Sequence, residues 1–211
     1  MRRTKHGRVA PAKYVVRNGG ATPFSARVHA LENAGQEWFA ATSNGLYRSE
    51  DNLKTWRKVD TDGITEVVAV AKSKDDLVIA GRSAVRVSSD NGKTWRDAKL
   101  KNISNIVSLA VSPSGELWAA AREAVFHSFD HGVNWNYDYK LTAKPIAFMA
   151  YVPGMDKVVV AGSNDTNLYE TTDGSAWTAV PSGWLMRGLV NADGRLVAAT
   201  AFDGVVVQSQ R

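Results

Sequence analysis

Four aspartates recur at regular spacing and are the first candidates for chemistry in this sequence. Asp51, Asp90, Asp130 and Asp173 lie 39, 40 and 43 residues apart. A repeated carboxylate can ligate calcium, take part in acid–base catalysis or bond the backbone of a turn. The residues that surround each aspartate decide among these three roles.

Each aspartate lies in a short motif that begins with Ser or Thr and ends with Trp. The motifs read S-E-D-N-L-K-T-W (Ser49–Trp56), S-S-D-N-G-K-T-W (Ser88–Trp95), S-F-D-H-G-V-N-W (Ser128–Trp135) and T-T-D-G-S-A-W (Thr171–Trp177). Asp before Asn or Gly is typical of tight turns, because the carboxylate accepts backbone N–H groups and Asn or Gly tolerates positive φ. We predict that each Asp fixes a turn and each Trp anchors it by folding onto its own sheet. The predicted structural residues are Ser49, Asp51, Trp56, Ser88, Asp90, Trp95, Ser128, Asp130, Trp135, Asp173 and Trp177.

A metal site is the weaker interpretation of these motifs. A calcium loop of the EF-hand type needs further oxygen ligands and a late glutamate, whereas Lys93 and Trp95 follow Asp90 where ligands would be required. His127 and His131 are four residues apart, but on a strand and a turn this spacing does not bring the side chains together. The chain also contains no cysteine. We therefore predict no metal site and no cofactor.

Short β-branched runs separated by turn residues fill the sequence between the motifs. One unit contains runs at Val67–Lys72, Leu77–Arg82 and Val85–Ser88, and a fourth run, Trp95–Ala98, follows the motif. The same order recurs in the neighbouring units, and no sustained helical periodicity is present. Four short strands per unit of about 40 residues is typical of one propeller blade. The sequence predicts an all-β fold, a five-bladed β-propeller.

The pattern S-x-D-x-G-x-T-W resembles the Asp-box, or BNR repeat, of a β-propeller superfamily. Sialidases, sortilin-type receptors, some glucanases and photosystem II assembly factors of the propeller type carry it. The resemblance implies that the turns lie on the blade periphery, away from the central channel, and serve structure. Leu53 replaces the glycine of the first motif, and the fourth motif is one residue shorter.

The fifth unit has no motif and only three predicted strands. These strands are Met186–Val190, Leu196–Ala199 and Val205–Gln208. The run Lys13–Arg17 (K-Y-V-V-R) precedes the first unit, and we predict that it completes the last blade as its outer strand and closes the ring. The predicted organisation is a basic arm at 1–12 and a single propeller domain at 13–211. The alternative is an incomplete ring, finished by a partner or by a second copy.

Positive charge is concentrated at the beginning of the chain. The net charge is +5, and the first 31 residues contain seven basic residues and no acidic one. A basic arm can bind phosphate or an acidic protein surface. The candidate partner-binding residues are Arg2, Arg3, Lys5 and Arg8, together with Trp184 in the turn S-G-W. We expect other protein subunits as partners of the arm and of one propeller face; nucleic acid is the alternative, although the arm lacks interleaved aromatics.

Catalysis is not predicted, because the channel offers no pair of carboxylates. The residues expected near the axis are Arg27, Glu66, Ile106, Phe148 and Arg187. Ordinary glycoside hydrolysis needs two carboxyl groups flanking one bond, and this set contains one. The sialidase resemblance further implies an R-I-P arginine motif, which the sequence lacks. No catalytic residues are therefore assigned.

The sequence favours a non-catalytic scaffold or interaction module in a multi-subunit assembly, such as a phage tail or connector subunit of a virion. One alternative is a carbohydrate-binding or sialidase-like glycan-cleaving protein; another is a photosystem-type assembly factor. No apolar run reaches the length of a membrane span, and the basic first residues lack the apolar centre of a secretory signal. We therefore expect a cytoplasmic or virion location.

Overall fold

The computed structural model describes residues 26–100, 103–138, 140–143, 145–192 and 195–207. These residues contain no helix and form nineteen strands in five antiparallel sheets. The strands are β1 (Val28–Ala34), β2 (Glu37–Thr42), β3 (Gly45–Ser49), β4 (Arg57–Val59), β5 (Ala69–Lys72), β6 (Leu77–Ala80), β7 (Val85–Ser88), β8 (Arg96–Asp97), β9 (Ile106–Val111), β10 (Leu117–Ala121), β11 (Ala124–Ser128), β12 (Asn136–Asp138), β13 (Ile146–Val152), β14 (Lys157–Gly162), β15 (Asn167–Thr171), β16 (Thr178–Pro181), β17 (Met186–Ala192), β18 (Arg195–Thr200) and β19 (Val205–Val207).

Each sheet is a simple meander of strands that are consecutive in the chain. Blades 1 to 4 contain β1–β4, β5–β8, β9–β12 and β13–β16, and blade 5 contains β17–β19. The first strand of each blade packs beside the first strand of the next, from β1 through β5, β9 and β13 to β17. These inner strands line one cavity of about 1550 Å³, the central channel. The chain is a five-bladed β-propeller, as predicted.

Apolar clusters hold neighbouring blades together. The second strands are almost entirely buried, so both faces of each blade need cover. Clusters fill the boundaries between blades 1 and 2 (with Phe39, Leu46 and Ile79), 2 and 3 (with Val78, Leu117 and Phe126), 3 and 4 (with Trp118, Met149 and Val160), and 4 and 5 (with Phe148, Val159 and Met186). A buried aliphatic or aromatic side chain contributes roughly 1.5–3 kcal/mol, so these boundaries hold much of the folding energy.

Backbone hydrogen bonds also cross three of the boundaries. In each, an amide at or just before the start of an inner strand donates to a carbonyl near the turn between the second and third strands of the preceding blade. The pairs are Val67 N with Thr42 O (3.0 Å), Ile106 N with Arg82 O (3.2 Å) and Ile146 N with Arg122 O (2.7 Å). These bonds tie the start of each of these inner strands to the blade before it.

The boundary between blade 5 and blade 1 differs from the other four because its apolar side chains are exposed. Val205 is 67% exposed, whereas Val85, at the same register in blade 2, is 1% exposed. On the facing side of the boundary, Val28 and Leu31 are exposed as well. No buried apolar cluster joins these two blades within the described ranges. Both sides of this boundary therefore carry exposed apolar side chains.

The predicted closing strand at 13–17 lies outside the described residues. The same is true of the basic arm at 1–12, with Arg2, Arg3, Lys5 and Arg8, and of Gln208 at the end of the last predicted strand. The three strands predicted for blade 5 are confirmed at β17, β18 and β19. Closure of the ring by the N-terminal segment stays a prediction.

Deleting residues 1–18 should lower the melting temperature by roughly 10 °C, because the valines of blade 5 and the outer edge of β19 would lose the strand that is predicted to cover them. Differential scanning calorimetry measures the effect. Deleting only residues 1–12 is the matched control and should leave the melting temperature unchanged. A 1–18 deletion that melts like the full chain would refute this closure.

Candidate functional site

The four motif turns, here called box turns, connect the third and fourth strands of blades 1 to 4 at residues 49–56, 88–95, 128–135 and 171–177. In the second turn, the Ser88 hydroxyl donates to Asp90 Oδ1 (2.8 Å) and accepts the Gly92 amide (2.7 Å). Asp90 Oδ1 also accepts the amide of Thr94 (2.9 Å), and its Oδ2 accepts the Thr94 hydroxyl (2.6 Å). Both carboxylate oxygens are thus bonded within the turn.

The first and third box turns repeat this network, and the fourth keeps part of it. Asp51 accepts the amide and hydroxyl of Thr55, and Asp130 accepts the amide and side chain of Asn134. In the shortened turn, Asp173 accepts one amide, that of Ser175. The Thr55 hydrogen bonds lower the pKa of Asp51 to about 2. Carboxylates held this way are ionised and bonded within the turn, which favours the structural interpretation over catalysis.

Two box-turn tryptophans, Trp95 and Trp177, bond the preceding blade, which the sequence did not predict, whereas Trp135 Nε1 donates to Gly132 O of its own turn (3.1 Å). Trp95 Nε1 donates to Asp60 O (2.7 Å), in the connection that leaves blade 1. Trp177 Nε1 donates to Asp138, on the last strand of blade 3. Trp135 also packs against the cluster between blades 2 and 3. The indoles therefore seal boundaries between blades.

Replacing Asp90 by Asn should lower the melting temperature at pH 7, because an amide cannot accept all the donors that converge on the carboxylate. Hydrogen bonds from Thr94 and Ser88 hold the pKa of Asp90 well below its ordinary value. The stabilisation is therefore present above the unfolded pKa near 4 and is lost as the pH falls through the lower folded pKa. Thermal melts between pH 2 and pH 7 should show the difference shrinking in acid. Asp203→Asn, at an exposed hairpin tip, is the control and should have no such effect.

The two histidines of blade 3 face opposite neighbours. His127 stacks on Trp118 (5.0 Å between ring centroids), and its ring lies close to Gly174 of the fourth box turn. His131 Nδ1 lies 2.7 Å from Asp76 Oδ2 of blade 2. Their side chains do not converge. Among the described residues there is no group of three or more His, Asp or Glu side chains that could hold a metal.

Glu32 places a carboxyl group at the inner edge of the boundary between blades 1 and 2. The corresponding positions of β5, β9 and β13 are alanines. Glu32 Oε1 accepts the Lys72 amide (3.2 Å), so the side chain joins two inner strands. Burial raises the pKa of Glu32 to about 7, and the hydrogen bond from Lys72 only partly opposes this effect. This carboxyl therefore changes its protonation state near neutral pH in the folded protein.

Glu32→Gln should stabilise the protein at pH 8, because the amide keeps the acceptor for Lys72 without the buried charge. The folded pKa lies above the ordinary value of 4.5, so the wild type loses stability as the pH rises from about 4.5 through 7. The gain at pH 8 should be on the order of 1–3 kcal/mol and should vanish below pH 4.5. Urea unfolding at both pH values measures it. Glu37→Gln is the contrasting control: there, hydrogen bonds from Arg48 and Asn91 outweigh burial and lower the pKa, so the same change should destabilise.

One mouth of the channel carries a small ion-pair network. Arg82 donates to both oxygens of Glu66 (2.9 and 3.1 Å), and His29 Nε2 lies 3.2 Å from Glu66 Oε1. The hydrogen bonds from Arg82 lower the pKa of Glu66. The sequence placed Arg27, Arg187 and Glu66 near the axis, but the structure pairs Glu66 with Arg82 and His29. A carboxylate held in ion pairs is a poor proton donor.

An exposed aromatic pair lies beside this mouth on blade 5. β17 and β18 pair antiparallel, and beyond their ends Ala201 N donates to Leu185 O (2.8 Å). Trp184 and Phe202 are the next residues along the two loops, and together they are called the aromatic pair. Phe202 is 84% exposed and Trp184 is 40% exposed. The exposure expected for Trp184 is therefore present, and Phe202 was missed by sequence reasoning.

The aromatic pair is held by hydrogen bonds in both of its loops. Thr200 Oγ1 donates to Gly204 O (3.0 Å) across the hairpin tip that carries the phenylalanine. Ser182 Oγ accepts the Trp184 amide and donates to Thr166 O of blade 4. The corresponding hairpin positions of blades 1 to 4 are polar: Asn44, Ser83, Glu123 and Asn164. The fold itself does not require an aromatic residue there, and aligning the repeats would have revealed the exception.

Comparison with solved structures finds other β-propellers at low sequence identity. YCF48 bound to D1 peptide superposes with a TM-score of 0.68 and 17% identity, over 88% of this chain and 66% of that one. The GH74 enzyme of Niastella koreensis gives a TM-score of 0.68 and 18% identity, over 87% of this chain and 29% of that one. Streptogramin B lyase gives 0.66 and 11%, over 86% and 68%. These similarities show the fold, and this chain spans less than a third of the GH74 enzyme.

No protein-family model and no curated protein matches the sequence. No helix within the described ranges is long and apolar enough to cross a membrane.

Proposed function

We propose that this protein is a non-catalytic interaction module that docks partner proteins of a larger assembly through the channel-mouth face of blade 5. The observation that carries the proposal is the exposed pair Trp184 and Phe202. Aromatic side chains of this kind dominate binding energy at protein interfaces. Exposed aromatic side chains do not stabilise the fold. The equivalent hairpin tips of blades 1 to 4 carry polar residues instead.

The rigidity of the site supports this role. Both loops that carry the aromatic pair are bonded across their tips, and one is bonded to blade 4. A side chain that is already ordered loses less entropy when it is buried by a partner. YCF48, a propeller of similar fold, has been solved with a bound D1 peptide, which supports a peptide- or protein-docking role.

Two narrower hypotheses share this mode of docking and differ only in the partner protein. A virion subunit, such as a phage tail or connector, would dock against other structural subunits, whereas a photosystem-type assembly factor would dock against a client protein. In both cases the box turns act as Asp-boxes of the structural kind, and the basic arm with Arg2, Arg3, Lys5 and Arg8 is a second contact for other subunits, or for nucleic acid.

A photo-crosslinking amino acid at position 202 tests the proposal in the cells from which the sequence derives. We expect a discrete crosslinked adduct at 202 that is lost when Trp184 is replaced by Ala. Position 83, the equivalent exposed tip of blade 2, is the matched control and should give no adduct. Identical patterns at 202 and 83, or none at either, would count against docking through this pair.

Two assays distinguish a protein-docking module from the alternative, a carbohydrate-binding or glycan-cleaving protein. On a glycan array, binding that depends on Phe202 would assign the aromatic pair to sugar stacking instead. Turnover of a fluorogenic sialoside by the wild type would contradict the non-catalytic proposal directly.

A further inference from the structure

Two of the box turns reach across to an acidic residue of the preceding blade. In the second turn, Asn91 Nδ2 donates to both carboxylate oxygens of Glu37 (3.3 and 3.1 Å). In the third turn, His131 Nδ1 lies 2.7 Å from Asp76 Oδ2. Glu37 and Asp76 occupy the same position, just before the residue that pairs with the serine of their own blade's box turn. The contact is therefore a repeated feature of the propeller.

The fourth box turn shows what happens when this side chain is missing. The turn is one residue shorter and lacks the position of Asn91 and His131. Its counterpart acid in blade 3 is Glu116, and no side chain of the fourth turn bonds to it among the described residues. Burial and the nearby charge of Asp156 raise the pKa of Glu116. Of these three acids, Glu37 and Asp76 are therefore bonded by a box turn of the next blade, and Glu116 is not.

The His131 imidazole can exchange protons with solvent while it stays hydrogen-bonded to the buried Asp76 carboxylate. The His131 side chain is 53% exposed and that of Asp76 only 4%. The charged groups that face the imidazole are Asp76 and Asp75, before β6, and Arg96 on β8. Arg96 donates to the backbone carbonyls of His131 and Gly132, which holds the turn against blade 2.

We propose that His131 and Asp76 form a proton-operated latch between blades 2 and 3. The protonated imidazole gives Asp76 both a hydrogen bond and an opposite charge, and the neutral imidazole gives at most the hydrogen bond. The latch between blades 1 and 2 has an amide, Asn91, in place of the imidazole and does not respond to proton concentration. The His131–Asp76 contact is therefore tighter in mild acid, while the Asn91–Glu37 contact stays constant over the same range.

The direction of the effect follows from the pKa. The hydrogen bond and charge of Asp76 raise the pKa of His131 above its ordinary value of 6.5. A raised histidine pKa stabilises the fold fully below 6.5, and the stabilisation is lost as the pH rises through the folded pKa. The latch therefore weakens as the pH rises above 6.5 and through the folded pKa.

The test compares thermal melts of the full chain and of His131→Asn from pH 5.5 to pH 8.5. The variant copies the amide of the constant latch, so folding should persist. We expect it to melt about 2–4 °C below the wild type at pH 5.5 and to approach it at pH 8.5. Asn91→Ala is the control, and its difference from the wild type should not vary over this range. A constant His131→Asn difference, or the same pH curve for Asn91→Ala, would overturn the latch.

A second measurement does not depend on stability. The imidazole C–H resonance that disappears in His131→Asn identifies His131 among the four histidines of the chain. Its pKa should lie above 6.5 in the wild type and return toward 6.5 in Asp76→Asn. If the pKa of His131 is unchanged in Asp76→Asn, Asp76 is not what raises it, and the latch is refuted.

Discussion

A sheet that is apolar on both faces must be covered on both faces, and the rest of this structure depends on that constraint. The second strands, such as β6 and β10, are buried along their whole length. No blade can therefore be stable alone, and each needs two neighbours. A linear stack would leave two faces in water, whereas a ring leaves none. The four filled boundaries meet this requirement, whereas the exposed apolar side chains between blades 5 and 1 still need the cover that the predicted closing strand would supply.

The box turns serve this packing. The aspartate bonds hold the turn, and the turn then delivers an indole and, in two blades, a polar side chain to the preceding blade. The hydrogen bonds within each turn thus position side chains that contact the preceding blade. At the opposite end of the blades, around the channel mouth, neighbouring blades are joined by backbone hydrogen bonds such as Ile106 N to Arg82 O. The exposed Trp184 and Phe202 lie in the loops at that end.

Two groups make the ring sensitive to pH in the same direction. Glu32, between blades 1 and 2, changes its protonation state near neutrality, and protonated His131 is paired with Asp76 between blades 2 and 3. Both interactions are strongest in mild acid, and the box-turn aspartates remain ionised there. The boundaries between blades, rather than the sheets themselves, are the part of this fold that responds to protons.

The sequence by itself determined the blades: period, turn residues and β-branched runs act within one unit, and local hydrogen bonding is enough to specify them. It also anticipated the turn network around Asp90 and the exposure of Trp184. The tertiary structure decided what lies between units. The direction of the tryptophans, the pairing of Glu66 with Arg82, the pairing of His131 with Asp76 and the aromatic neighbour of Trp184 all join residues from different strands or blades. Such contacts depend on how rigid sheets are offset in the ring, which no local pattern of residues encodes.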